Sequence, residues 1–362
     1  MITSSHHLII SSSHQHINTS THQHINTSTH QHINTLIMIH WGFIGCGDVT
    51  EKKSGPAFSK VEGSDVVAVM RRNIDKAKDY AQRHGIGKWY NNALDLINDP
   101  QVNAVYVATP PGSHAEYAIA AMKAGKPVYV EKPMAASYEE CLQMNRISEE
   151  TGIPCFVAYY RRTLPYFLRV KQLIDDGLLG KISTVQIRFS IPPYATDNDR
   201  SNLSWRVRKE IAGAGYFYDL ASHQFDLLDY LFGEIIDVHG FAANVGGLYD
   251  VEDTVIAAFR FQSGVLGSGS WSFIAPKDTR TDCTDVVGTK GKLSFSTFDF
   301  SPILVETSQG IQEFREENPE NIQYYLIHSI VSFLNGRGTL PVSTGTTAIR
   351  TNHVMDRILK EI

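Results

Sequence analysis

The chain has little that would tie it to a membrane, a nucleic acid or an oxidising compartment. No apolar run approaches the roughly 20 residues that a bilayer-spanning helix needs. The formal net charge is −5, so no basic field is present to recruit nucleic acid or an anionic membrane surface. Cysteine is sparse: Cys46, Cys141, Cys155 and Cys283 lie far apart, and no Cys-x-x-Cys pair occurs. That spacing argues against a disulfide framework and against a zinc site, and reduced thiols in the cytoplasm fit best. No metal site is expected.

What is present is apolar material in quantity. With 362 residues, 42% of them hydrophobic, the chain can bury two domain cores. Residues 1–37 stand apart. His14-Gln15-His16-Ile17-Asn18-Thr19-Ser20-Thr21 recurs as His22 to Thr29 and, truncated, as His30 to Thr35. The repeat lacks the basic start and apolar segment of a signal peptide. It reads as a disordered tail, or as translated upstream sequence with the native start at Met38, in preference to a metal-binding His-x-His arm.

From Met38 to residue 158, short apolar runs alternate with helical stretches. Strands are expected over Ile39–Ile44, Val66–Met70, Val102–Ala108, Val128–Val130 and Pro154–Ala158. Helices are expected over Lys76–His84, Asn91–Asp99, Ala115–Ala124 and Tyr138–Thr151, with Gly85, Gly125 and Gly152 as stops. This alternation predicts a doubly wound parallel sheet. Over residues 159–362 the texture changes. After a helix at Leu164–Asp176 come strand-like runs at Ser183–Ile191, Ile235–Ala242, Thr254–Phe261, Val265–Phe273, Asp282–Val287 and Lys292–Ser296. A helix at Tyr218–Phe232 interrupts them, and helices at Glu320–Leu334 and Thr346–Ile362 close the chain. Consecutive strands of this kind predict an α+β domain with an open, mostly antiparallel sheet.

Five clusters carry chemistry. Gly45-Cys46-Gly47-Asp48-Val49-Thr50 follows the first strand and opens a helix. There Gly45 allows a tight turn and Gly47 lets backbone approach a pyrophosphate, with Asp48 and Val49 beside it. The second strand ends in Arg71-Arg72-Asn73. An NAD site usually has an acid at this point, whereas guanidinium groups suit a 2′-phosphate, so the residues favour NADP over NAD. Thr109-Pro110-Pro111-Gly112-Ser113-His114 forms a loop at the sheet's carboxyl edge, a candidate wall beside the nicotinamide, with Ser113 placed to cap the next helix. Glu131-Lys132-Pro133 ends a buried strand and delivers a rotatable ammonium where ligands of open α/β sheets bind. In the second half, Asp219 and His223 lie four apart on one expected helix behind Gly213-Ala214-Gly215. At that spacing a carboxylate can orient an imidazole.

Together these motifs, with Ser204-Trp205-Arg206, resemble the glucose-fructose oxidoreductase / inositol dehydrogenase / rhizopine-catabolism (Gfo/Idh/MocA) family from about Ile39 to the C-terminus. The resemblance implies a Rossmann domain, a C-terminal open-sheet domain whose face mediates a homodimer or homotetramer, and Lys132, Asp219 and His223 at the catalytic positions. The chain departs from the family pattern at Thr50, at Arg71 and at Tyr160, which would narrow the pocket or stack on a ring.

The expected activity is hydride transfer between a nicotinamide, NADP or alternatively NAD, and a sugar, polyol or related cyclic alcohol or ketone. His223 would act as acid/base, Asp219 would orient it, and Lys132 would hold the substrate oxygen. Glu131 and Lys132 would also contact the cofactor. Tyr160, Arg162, Trp205 and Arg206 would contact the substrate. A glycosidase with a retained cofactor and a ligand-sensing protein are the alternatives. The three polar groups together speak against the sensor.

Overall fold

The computed structural model describes residues 37–212 and 215–360, so the His-rich repeat and Gly213-Ala214 of the glycine-rich lead lie outside the described residues. The first sheet has six strands: β1 (Ile39–Ile44), β2 (Ser64–Met70), β3 (Lys88–Tyr90), β4 (Ala104–Val107), β5 (Val128–Val130) and β6 (Cys155–Val157). Their order is β3-β2-β1-β4-β5-β6, and every pairing is parallel. β4, β5 and β6 are buried at every residue, as strands covered by helices on both faces must be. The order reverses between β1 and β4, and the crevice beyond their carboxyl ends is where such sheets bind ligands.

Helices sit close to their expected bounds because local signals agree. The helix Tyr138–Thr151 starts on Ser137, whose side chain accepts from the Glu140 amide, and stops at Gly152 with φ +68°. Ser113 does not cap the helix at His114–Lys123. Its hydroxyl instead bonds Thr109 Oγ1 at 2.8 Å and the Pro110 carbonyl at 3.2 Å, holding the loop closed on itself.

The second sheet has eight strands: β7 (Ile182–Ser190), β8 (Ile235–Ala243), β9 (Thr254–Phe261), β10 (Leu266–Ser272), β11 (Thr281–Gly288), β12 (Gly291–Phe295), β13 (Ile303–Thr307) and β14 (Gly310–Phe314). Their order is β14-β13-β12-β11-β7-β10-β9-β8, and only β7 and β10 pair parallel. The strands alternate: Val185, Ile187 and Phe189 point into the core while Gln186 and Arg188 face out. β3, β13 and β14 have no counterpart in the expected strands. β3 is three residues long at a sheet edge, and β14 is an edge strand exposed along most of its length, so neither shows an apolar run.

The last helices return to the first sheet. Ser343 Oγ donates to the Val157 carbonyl, Asn352 Nδ2 to the Ala135 carbonyl, and the Asp356 carboxylate accepts from the Tyr138 amide. The helix expected from Glu320 begins only at Tyr324. The cause is Gln323, which turns inward to bond Glu131 and Tyr129. Among the described residues no helix is long and apolar enough to cross a membrane, and all four cysteines are unpaired.

Candidate functional site

The carboxyl ends of β1, β2, β4 and β5 open on a cleft of about 900 Å³ that reaches the helix Ser222–Phe232 and the turn before it. Gly45 has φ +96°, and a Cβ there would meet the Thr109 backbone nitrogen at 2.8 Å, so only glycine fits. At Gly47 the opposite holds: a Cβ would meet no protein atom within 4 Å and would point into open space. Gly47 precedes the first turn of the short helix Asp48–Lys52. The geometry leaves room for a phosphate-bearing group against the backbone. Cys46 is buried in this turn, and burial pushes its thiol up to about 11, which leaves it unreactive.

Arg71, Arg72 and Lys76 line the outer end of the cleft. Arg71 donates to the Cys46 carbonyl at 3.2 Å. Asn73 caps the following helix by accepting from the Lys76 amide at 3.0 Å. Thr109, Pro110 and Pro111 line the cleft. His114 does not line the cleft. It is fully buried beneath that loop, its ring nitrogens 2.7 Å from the Thr109 carbonyl and 3.0 Å from the Pro133 carbonyl. Burial pushes its pKa down, against the two carbonyls that favour the charged ring. A neutral ring donates to only one of them. The ring thus ties the Thr109 loop to the Lys132–Pro133 turn, whose peptide is cis.

Glu131 and Lys132 emerge from β5 in opposite senses. Glu131 is buried and accepts from Tyr106 Oη and Gln323 Nε2, each at 2.7 Å. Tyr106 also bonds Ser54, and Tyr129 donates to Gln323, so the carboxylate is locked from behind. Lys132 Nζ reaches across to Asp219, donating to its carboxylate Oδ1 and, at 2.9 Å, to its backbone carbonyl. Asp219 Oδ2 accepts from Arg206 Nε at 3.0 Å. Burial works to raise the Asp219 pKa, but the charges of Lys132 and Arg206 outweigh it and hold the carboxyl at about 2. The Arg206 guanidinium in turn stacks on Trp205, 4.6 Å from its ring.

His223 lies in the same cleft, 4% exposed, with Nδ1 lacking a protein partner. Burial first, then the charges of Arg161, Lys132 and Lys53, push its pKa well below the ordinary value, so the ring is neutral. No hydrogen bond joins it to Asp219, so the expectation that Asp219 orients His223 is corrected. Phe217–Ala221 forms a π-helical turn ahead of the α-helix Ser222–Phe232, which shifts the one-face alignment of a regular helix. The Asp219 carboxylate is drawn instead to two cations. The His223 ring is framed edge-on by Tyr160 at 5.6 Å and Phe298 at 5.9 Å.

The arginine pair divides unexpectedly. Arg162, expected at the substrate, is 3% exposed and points away from the cleft. Its guanidinium bonds both Asp226 oxygens, at 2.9 and 2.8 Å, and Asp229 at 3.1 Å, while Arg350 bonds Asp229 from the other side. Arg161, which the sequence did not single out, lines the cleft together with Tyr160 and Phe298. Phe298 lies in a loop after β12 with no motif of its own, and only proximity identifies it. No group of three or more potential metal-ligating side chains clusters among the described residues.

Residues 39–159 match the model of an oxidoreductase family with an NAD-binding Rossmann fold, and residues 167–294 match the GFO/IDH/MocA C-terminal domain. The chain is 40% identical over 320 residues to Oxidoreductase P35 of Formosa agariphila, covering 88% of this chain and 97% of that one. It is 29% identical to a 1,5-anhydro-D-fructose reductase of Ensifer adhaerens, covering 86% and 92%. A solved levoglucosan dehydrogenase in complex with NADH and L-sorbose superposes with a TM-score of 0.79 at 25% identity, covering 88% and 95%.

Proposed function

The chain belongs to the GFO/IDH/MocA family of oxidoreductases, and from the site we propose that it is an NADP-dependent dehydrogenase or reductase of a sugar, polyol or related cyclic alcohol or ketone. The carrying observation is the meeting, in one cleft, of a neutral His223 and of Lys132 held by Asp219. The nicotinamide, when bound, supplies the hydride chemistry. The open backbone at Gly47 and the Thr109-Pro110-Pro111 wall are the groups that would hold it.

The protein's own residues handle the proton and the oxygen. An ammonium has three donors, and Asp219 occupies two of those on Lys132, which leaves one for the substrate oxygen. That donor stabilises the alkoxide charge that develops as a carbinol is oxidised. His223, neutral and buried, takes the carbinol proton, and in reduction it returns one. Arg206 and Trp205 flank the same space. The substrate class rests on this hydroxyl-directed layout and on relatives whose names refer to sugars and anhydrosugars. NADP is favoured by Arg71, Arg72 and Lys76 at the end of β2, where no acid stands to repel a 2′-phosphate.

The test is a fluorescence titration with NADPH and NADH, followed by turnover of a sugar and polyol panel with the tighter cofactor. NADPH should bind more tightly, and oxidation should build up reduced cofactor. Equal or tighter binding of NADH sinks the NADP assignment. Glycosidic cleavage without net cofactor reduction replaces the dehydrogenase reading with that of a glycosidase.

A further inference from the structure

Arg161 is the one cation among Lys132, Arg161, Arg162 and Arg206 with no carboxylate partner among the described residues. It is 4% exposed. A buried charge without a counter-charge is costly. The nearby acids are all engaged. Asp219 takes Lys132 and Arg206, Glu131 takes Tyr106 and Gln323, and Asp299 takes Arg280. Asp282 accepts the backbone amides of Thr297, Phe298 and Asp299, and so fixes the loop that carries Phe298.

The guanidinium is also aimed. Its Cζ lies 5.1 Å from the Tyr160 ring and 4.7 Å from the Phe298 ring. Nε donates to the Thr297 carbonyl at 3.1 Å, and Nη1 donates once to Tyr160 Oη at 3.2 Å. Of the five donors of an arginine, the second N–H of Nη1 and both of Nη2 stay unassigned. They lie on the two terminal nitrogens, and the residue lines the cleft that holds His223 and Lys132. Paired N–H groups of a guanidinium match a carboxylate bidentately.

We infer that the substrate carries a carboxylate on its sugar or polyol skeleton, as uronic and aldonic acids do, and that Arg161 binds that carboxylate. The inference rests on the oxidoreductase reading of the same cleft and names its substrate class. It also suits the acid/base step. Arg161 disfavours a proton on His223. A carboxylate on Arg161 offsets that field when the ring must take up the carbinol proton.

The experiment compares matched pairs on the cofactor-loaded full chain: glucuronate with glucose, galacturonate with galactose, mannuronate with mannose and gluconate with glucitol, with glucose 6-phosphate as a phosphate arm. Binding is read by calorimetry and turnover by cofactor absorbance, for the wild type, Arg161→Gln and Arg161→Lys. In at least one pair the acid should exceed its neutral partner in kcat/KM by about 10-fold or more, the range of one charged hydrogen-bonded contact. The gain should lie in KM. Arg161→Gln should bring that ratio close to unity, and Arg161→Lys should restore part of it. Cofactor affinity and melting temperature report whether each variant is folded, and the charge-retaining lysine variant keeps the test open should the glutamine variant fail to fold. Acid-to-neutral ratios near one in every pair, a ratio unchanged in Arg161→Gln, tighter binding of the phosphate than of any acid, or no measurable acid binding overturns the inference. Absence of hydride transfer with every compound counts against the oxidoreductase reading instead, and the calorimetric ratio still decides the question of the carboxylate.

Discussion

His223 meets the cleft as a neutral ring, and its chemistry depends on starting in that form. Oxidation needs the unprotonated form. Burial and neighbouring cations place its pKa below the ordinary 6.5. The acid limb of kcat/KM for oxidation should therefore lie below pH 6.5, with a flat profile at and above that pH. A limb centred at 6.5 or higher argues against His223 as the base. His223→Ala should lose about 10²- to 10⁴-fold in kcat, the usual share of a positioned acid/base, while keeping cofactor affinity. Asp219 gives a second pH signature. Its carboxyl sits at about 2 in the folded chain against an ordinary 3.8. A depressed carboxyl contributes stability that is complete above the unfolded value and is lost as pH falls through the folded one. Asp219→Asn should cost on the order of 2 kcal/mol at pH 7. Urea melts at a series of pH values should show that deficit shrinking between about pH 4 and pH 2. A deficit independent of pH would remove the Lys132 and Arg206 pairing as its cause.

At the level of elements, the helix Ser222–Phe232 does two jobs. One side presents His223 to the cleft, and the other carries Asp226 and Asp229 to Arg162 and Arg350, fastening the helix to the turn at Tyr160–Thr163 and to the helix Gly345–Lys360. Burial pushes Asp226 up to about 6 despite Arg162, so the ion pairing compensates desolvation rather than adding a large surplus. Arg162→Ala should destabilise by about 3–5 kcal/mol, since it strands buried carboxylates. An acid whose folded pKa is raised costs stability once ionised. The deficit should therefore be larger at pH 8 than at pH 5, where the stranded acid takes a proton. Cofactor affinity should not move. A variant of full stability with a raised substrate KM would instead return Arg162 to the cleft. Elements were legible in the sequence where local chemistry repeated itself, as in the helix Tyr138–Thr151 between Ser137 and Gly152. They were not legible where the edge strands β3 and β14 lack an apolar face, or where a π-helical turn shifts the alignment of residues four apart.

Across the whole molecule, the second sheet leaves one face uncovered. Phe241 on β8 is 71% exposed and sits directly opposite Ile256 on β9, 51% exposed, with Leu266 of β10 on the same face. Apolar residues grouped on an open sheet face mark a contact surface. Sedimentation velocity should find a dimer or tetramer, and Ile256→Lys with Phe241→Lys should shift it to a monomer that keeps its fold. A monomeric wild type would end that expectation. Periodicity, turn glycines and strand-end placement already determined the parallel sheet, the glycine turn after β1 and the delivery of Lys132 at the end of β5, because each depends on residues close together in the chain. Tertiary structure alone decided what those residues meet. Lys132 and Asp219 are 87 positions apart and join only when the turn after β5 meets the π-helical turn Phe217–Ala221. Of two adjacent arginines, the turn at Tyr160–Thr163 sends Arg162 to buried carboxylates and leaves Arg161 at the cleft. Side-chain direction in a short turn is set by what packs around it, and a linear pattern does not carry that information.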